Sequence, residues 1–569
     1  MGRKRTPAEQ LTRLEREAEI EEKRLAIEQM KLDRLVAQER RKHIKSLSTY
    51  EAAKKDRTTQ DWRAPTKTAD QAILPDAGTL NARGRQIIRD TGIGQSIKNG
   101  MRRGVVGIGV TPRSAARNPL TGEPLKEFND RVDLWWEPWA TTPEFCDVEG
   151  RRTWVEHEGL VICEFTAVGE SFTVLSYEPR ADMVGLCLQA FEPEQLDDRK
   201  LRNEETGNQI KAGVEVNKFG RAVGYWLHTG SHPWEKFSRE PTFIPAERVR
   251  HFFRPERVRQ ARGVTLMCAV LHTIRHLGMY DHYQIIAARY QSCIGGHIET
   301  GNLEEATATM GLPLEEGETG KDSRYADEIA MEPGMMPRLR PGEKIVYNTP
   351  TAPGSQYDPF MKAQIARIAA GVGLDYATVA RDYSQGSYTS QRQGRLEKDQ
   401  ELDPIQLLLI DTVGRPVRKS FKTWLILEGK VEAPGFFSDP LWQWAYLKDE
   451  WQGPPKYWID PVKQAAAAKI LLDYKLTSRK SWLNQFGASV GDLFAQLEEE
   501  LRDAAEKGIS LPDAQAKGEP GRPVGTPKEN LAALLGGSEE IVEDLVLDVF
   551  GPQLGAYILK QAREEASVQ

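Results

Sequence analysis

Apolar runs in this chain are never longer than a handful of residues, and this limits the possible folds more than any other feature. Runs such as Leu407–Ile410 and Val161–Val168 (itself broken by Glu164) fall far short of the ~20 apolar residues that a bilayer-spanning helix needs. The chain is therefore read as crossing no membrane. With 569 residues, 39% of them hydrophobic and 28% charged, it is too long for one core and too apolar to stay unfolded, so several packed units are expected. Its first residues carry no apolar segment of the secretory kind, which places synthesis in the cytoplasm.

Five cysteines, Cys146, Cys163, Cys187, Cys268 and Cys293, are too few for a disulfide scaffold. No two stand in a C-x-x-C spacing. They read as ordinary core residues. A net charge of −6 argues against a protein built to grip DNA phosphates tightly, which calls for a basic face. Nucleic-acid contact, if made, is expected to be loose or local.

Residues 1 to about 48 read as a charged helix in which Leu11, Leu14, Ala18, Leu25, Leu32 and Leu35 form an imperfect a/d seam, interrupted by Glu21 and Glu28. It is either a solvated arm or a docking helix. Leu80–Met101 reads as helix and Val105–Val110 as a strand with glycine turns. From Trp135 to Arg254 a helix over Arg151–Cys163 precedes short alternating runs, Ser171–Tyr177, Ala222–Leu227 and Thr242–Ile244, cut by Gly and Pro. This is an α+β texture.

Leu266–Gln291 then holds a helical period with only Gly278 inside it, and a Gly-, Pro- and Glu-rich insert runs from Ile294 to Pro353. Helix returns over Phe360–Val372, a polar loop follows at Arg381–Ser390, and another helix spans Leu396–Leu427. Beyond the Trp-rich Gly435–Gly453 come an Ala-rich helix, Pro461–Tyr474, and the acidic Val490–Lys507. A Gly/Pro linker, Pro512–Pro527, isolates a last helical unit at Lys528–Ala566.

Catalytic patterns fail one by one. His272, His276 and His282 suggest zinc, and a zinc-dependent hydrolase built on them is the alternative from another functional class. The position where a metzincin has its general-base Glu is Thr273, however, and the expected glycine is displaced to Gly278. Gly317-Glu-Thr-Gly320-Lys321-Asp322 lacks the P-loop spacing and the Ser/Thr that holds magnesium. Gly104, Gly107 and Gly109 invert the dinucleotide spacing. Ser171 misses the second glycine of a nucleophile elbow and reads as a strand serine. The pairs Asp197–Asp198 and Glu315–Glu316 read as solvated turns. A chain this long without an organised site points to a structural or assembly role, with no enzyme activity, cofactor or metal expected. The hydroxyl-rich Arg381–Ser390 loop suits either an ordinary surface connection or phosphate-backbone contact without base readout.

One ordered series of residues goes further. Leu339-Arg-Pro341-Gly342-Glu343 leads to Pro350, Pro353, Tyr357 and Phe360, and then to Arg367-Ile-Ala-Ala370-Gly371-Val-Gly373. It continues through Tyr376, Asp382-Tyr-Ser384 and Tyr388-Thr-Ser390-Gln-Arg392 to Glu397. Upstream stand Tyr50-Glu-Ala-Ala, Trp62, Arg83 and Arg85, Val106–Gly109, Gly169-Glu170, Gly220-Arg221 with Tyr225-Trp226, and Gln260-Ala-Arg262-Gly263-Val264; downstream is Ile459-Asp460-Pro461-Val-Lys463. From about Tyr50 to Gly508 this order resembles the lambda-type portal proteins of tailed bacteriophages. Ser387, Thr389 and Gln464 depart from the family pattern.

The resemblance implies an α+β portal fold with wing, helical stem, clip and C-terminal crown, assembling as a twelve-fold ring at one capsid vertex, through which double-stranded DNA is packaged and ejected. The implied map is an arm over 1–49, wing over 50–265 and 393–489, stem helices over 266–291 and 357–375, clip over 292–356, tunnel loop over 376–392, and crown and tail over 490–569. Implied partners are further copies of the chain, the viral duplex bound without sequence preference, the terminase large subunit, the major capsid protein and scaffold, and a head–tail adaptor. The implied location is the virion, after assembly in the host cytoplasm. Arg381, Tyr383, Ser384, Gln385, Ser387, Tyr388, Ser390 and Arg392 are the implied DNA-facing loop, with Lys362 and Arg367 as stem-channel candidates. Twelve copies at −6 give roughly −72, a balance that lets a duplex slide where a cationic bore would hold it. Another head or tail structural protein is the remaining alternative.

Overall fold

A computed structural model describes residues 64–180, 182–229, 240–293, 297–300, 343–346, 354–384, 388–456, 461–484 and 490–507, with scattered positions elsewhere that include most of 21–40. The expectations for Glu315–Glu316, for Gln385 and Ser387, and for the unit at Lys528–Ala566 lie outside the described residues. Two units separate. In the first, Met1–Thr68, the positions described over 21–40 are helical with exposed side chains. The second, Ala69–Gln569, carries everything that follows.

Its first helices are α1 (Ala69–Asp90) and α2 (Gly92–Val105). The single helix read over Leu80–Met101 is broken because Thr91 leaves helical geometry and its hydroxyl accepts the Gly94 N–H at 3.0 Å. The segment Val105–Val110, expected to be a strand, closes α2 at Val105 and then turns. Gly107 and Gly109 have φ of 55° and 127°, and a Cβ on Gly109 would lie 2.7 Å from Val155, so the glycines serve a sharp reversal against a neighbour. Strand β1 (Thr111–Ser114) and helix α3 (Lys126–Thr141) come next.

Helix α4 spans Trp154–Val168, displaced from the expected Arg151–Cys163. Thr153 and Glu156 form a reciprocal capping box at its start, and Gly169, at φ 90°, closes it. The strands that follow are β2 (Glu170–Tyr177), β3 (Leu186–Phe191), β4 (Gln209–Lys211), β5 (Val214–Val216), β6 (Ala222–Leu227), β7 (Thr242–Pro245) and β8 (Val249–Phe253). They build two antiparallel sheets, ordered β3-β2-β8 and β4-β5-β6-β7, the α+β arrangement expected.

Helix α5 (Leu271–Cys293) leads into β9 (His297–Thr300), which pairs antiparallel with β10 (Glu343–Val346). Helix α6 (Tyr357–Gly371) returns beside α5. Val270, just ahead of α5, packs where a Cβ on Gly371 would be only 2.5 Å away, while Tyr280 lies against Tyr357 and Phe360 with ring centroids 6.0 and 5.2 Å apart. The two helices therefore run antiparallel. Next come α7 (Tyr376–Ala380), α8 (Tyr388–Leu409), a π-helical turn at Ile410–Gly414, α9 (Arg415–Leu427) and β11 (Asp449–Gln452).

Strands β1 and β11 pair in antiparallel register, Thr111 opposite Gln452. Segments far apart in sequence thus share one core, in which Trp136 and Trp139 pack on Phe421 of α9 and Trp154 packs on both tryptophans. Cys146 and Cys187 are buried as expected, but Cys268 is exposed, because it sits on the turn leading into α5.

Candidate functional site

The expected DNA-facing loop starts from a rigid base. Asp375 caps α7, accepting the Thr378 N–H at 3.0 Å and the Thr378 hydroxyl. Helix α7 ends at Arg381, whose N–H donates to the Ala377 carbonyl at 3.0 Å from a left-handed backbone, φ 57° and ψ 26°. That conformation is uncommon for a residue with a Cβ. Its side chain is exposed.

Asp382 then organises a tight turn. Its Oδ1 accepts the Ser384 N–H at 2.9 Å and the Ser384 hydroxyl at 2.6 Å, and its Oδ2 accepts the Tyr376 hydroxyl at 3.3 Å. The Ser384 donors, with smaller help from Tyr376 and the charge of Lys362, hold this carboxyl below the ordinary aspartate range. Burial, together with Asp382, raises Tyr376 above the usual tyrosine range. Tyr383 is 60% exposed.

Sequence periodicity places the next helix at Leu396, but α8 begins at Tyr388. Tyr388, Ser390 and Arg392 are therefore on the opening turns of a helix and not in a loop. Within the expected part of α8, Lys398 Nζ donates to Thr378 Oγ1 at 3.3 Å and lies 3.6 Å from Asp375 Oδ1, docking α8 on α7. Lys362 is half-buried on α6 and acts electrostatically on Asp382, whereas Arg367 is exposed on the same helix. Asp382 and Tyr376 stand in the motif series but were not singled out as site residues; an Asp two residues ahead of a Ser is the pattern of such a turn. Nothing in the local sequence marks Lys398.

A second constellation, also missed, lies under the sheets. Glu170 is buried and receives Arg262 Nε and Nη2 on Oε1 at 2.8 and 2.6 Å, with Gly263 N–H at 2.7 Å and His251 Nε2 at 3.0 Å on Oε2. Burial alone would raise Glu170; Arg262, aided by His251, overrides it and brings the carboxyl down to about 2. Burial lowers His251, which stacks on Phe172 with centroids 4.3 Å apart. Two separated motif pieces, Gly169-Glu170 and Gln260–Gly263, are thereby brought together. A Cβ on Gly263 would stand 2.2 Å from the Gly169 carbonyl oxygen.

A third cluster holds Arg418 and Lys422, both fully buried on α9. Lys422 Nζ meets Asp449 at 2.8 Å and donates to the Tyr446 and Lys448 carbonyls at 3.0 and 3.1 Å. Arg418 bridges to Asp133 and lies 4.6 Å from the Trp136 ring centroid. The solvated turn expected at Asp197–Asp198 is also corrected: Asp197 is buried, taking Arg199 at 2.8 Å and His228 at 3.3 Å. His272 and His276 are stacked, exposed neighbours with centroids 6.3 Å apart. Among the described residues no group of three or more His, Cys, Asp or Glu is arranged to hold a metal.

Against known proteins, the family described as phage portal protein, lambda family, matches residues 55–406. The probable portal protein of Halomonas phage phiHAP-1 is 27% identical over 496 residues, covering 84% of this chain and 91% of that protein. Portal protein B of Escherichia phage lambda is 24% identical over 482 residues, covering 80% and 89%. Among solved structures, a chain from the neck of an empty gene transfer agent particle matches at 12% identity and a TM-score of 0.39, covering 77% of this chain and 94% of that one, too low a likeness to carry weight.

Proposed function

This chain belongs to the lambda family of phage portal proteins, and from that premise we propose that its copies close into a ring, twelve-fold by family resemblance, at one vertex of a tailed-phage capsid, with duplex DNA passing through the bore. It is a structural protein and not an enzyme, which ends the hydrolase alternative.

One observation carries the ring reading. The α5–α6 pair leaves Tyr283 60%, Ile285 61% and Phe360 44% exposed in the single chain. Apolar side chains left in water on a paired-helix element call for a further surface to cover them, and covering the exposed half of each contributes on the order of 1 kcal/mol. A neighbouring copy supplies that surface. In this reading α5 and α6 are the stem, the insert reached through β9 and β10 is the clip that receives the terminase and later the head–tail adaptor, and the two sheets with α8 and α9 are the wing.

The turn at Arg381–Ser384, with Tyr388 at the head of α8, borders the constriction. Its hydroxyls and few cations make brief phosphate contacts and let the duplex slide, while a separate ATPase supplies the energy. Two experiments test this. Negative-stain imaging of the purified chain is expected to show rings with an open bore; compact single particles under every assembly condition would overturn the reading. Arg381→Glu is expected to lower packaged DNA per capsid at least several-fold while rings still form, and unaffected packaging would remove this loop from the mechanism.

A further inference from the structure

The loop has two stalks, the Arg381–Ser384 turn and α8, and both are tied to α7 and its capping residue Asp375. Asp382 reaches back to Tyr376 at 3.3 Å, and Lys398, from α8, reaches Thr378 at 3.3 Å and Asp375 at 3.6 Å. Helix α7 is itself fixed from behind. A Cβ on Gly100 of α2 would come within 2.8 Å of the Thr378 methyl and 3.3 Å of Leu374, so α7 lies in close contact with the α2 backbone and cannot shift without displacing it.

We propose that α7 is a staple that sets the position of the Arg381–Ser384 turn relative to α8, with Asp382 and Lys398 as positioning residues on its two sides. The inference rests on the reading of this loop as the border of the constriction and adds what holds it there. An isolated Asx turn on a protein surface opens readily, because water competes for each of its hydrogen bonds. Here the same carboxylate that closes the turn is also bound to the staple, so the turn opens only if it leaves α7. The left-handed backbone at Arg381 follows: the chain must reverse within one residue of the end of α7 to bring Asp382 back over Tyr376. On the other side, the Lys398 ammonium serves two acceptors on α7, Thr378 Oγ1 and the Asp375 carboxylate that caps the helix. Loss of Lys398 therefore loosens the second stalk and weakens the cap together.

The test is amide hydrogen exchange, read by mass spectrometry on the assembled full-length protein over the peptides containing Arg381 and Ser384 and over those of α8 around Lys398, alongside ring imaging and packaged DNA per capsid. Asp382→Ala is expected to speed exchange at Ser384 at least tenfold, Tyr376→Phe several-fold at Ser384, and Lys398→Met several-fold in α8 around Lys398. Lys398→Arg, which keeps a donor and a charge, is expected to stay within about twofold of the parent. Rings form in all four. Exchange unchanged in Tyr376→Phe and Lys398→Met overturns the staple, whatever Arg381→Glu does to packaging. Conversely, unaffected packaging in Arg381→Glu removes the constriction reading while accelerated exchange still upholds the staple.

Discussion

Glu170 and Asp382 are both carboxylates from the family motif series, and both accept N–H donors close in space, yet their surroundings differ. Glu170 is enclosed, with Arg262, His251 and the Gly263 amide taking up its oxygens. Asp382 lies at the protein surface, served by Ser384 and Tyr376. Where water is excluded, removing one partner strands a charge, and the loss falls on the whole fold. Where water competes, the same bonds contribute little to stability and instead choose one backbone geometry. The enclosed carboxylate holds the sheets to the segment leading into α5; the exposed one shapes a turn.

Three substitutions would break or sharpen that contrast. The largest effect is expected at the enclosed site, where Arg262→Ala leaves Glu170 buried without its main counter-charge and should cost about 3–5 kcal/mol in chemical denaturation. The pH dependence carries the same signature. Because the folded carboxyl is depressed to about 2 from 4.5, its contribution is present above about 4.5 and is lost as pH falls towards 2. In Arg262→Ala that acid-sensitive window should move up and shrink. A small loss of stability in this variant would mean the motif pair does not lock the sheets.

Next is Lys422→Met, which removes the ammonium shared by Asp449 and two carbonyls and should cost on the order of 3 kcal/mol. Burial lowers Lys422 to about 8 from 10.5, so over that interval the unfolded chain binds the extra proton and stability should rise with pH. Melting curves of Lys422→Met should lack that rise. A rise of equal size in the variant would assign it to other groups.

The smallest effect is expected at the exposed site. Ser384→Ala removes one hydroxyl donor to Asp382 and should shift global stability by less than about 0.5 kcal/mol while packaged DNA per capsid falls measurably. A global loss comparable to that of Arg262→Ala would erase the distinction between the two regions.

Much of the fold was legible locally. The alternation of Ala222–Leu227 gave a strand with those bounds, and the period of Leu266–Gln291 gave the helix that runs Leu271–Cys293. Those signals are read within a dozen residues, which is the reach of a strand's alternation or a helix's turn. The motif series likewise named the family without any coordinates. What it left unread depended on distant partners. Val105–Val110 had a strand's composition, but past the end of α2 at Val105 it became a turn whose Gly107 faces Pro454 and whose Gly109 faces Val155 of α4. The residues ahead of Leu396 lacked a clear apolar period yet are helical from Tyr388.

The sequence by itself determined the period of each main element, the missing catalytic constellations and the family. Only the tertiary structure decided which motif residues meet: that Glu170 finds Arg262, that the strand at Thr111 pairs with the one ending at Gln452, and that Arg418 and Lys422, unremarkable charges on a helix, lie in the core. The physical reason is range. Backbone preference and side-chain periodicity act between near neighbours along the chain, whereas the cost of burying a charge is set by whatever the completed fold places beside it.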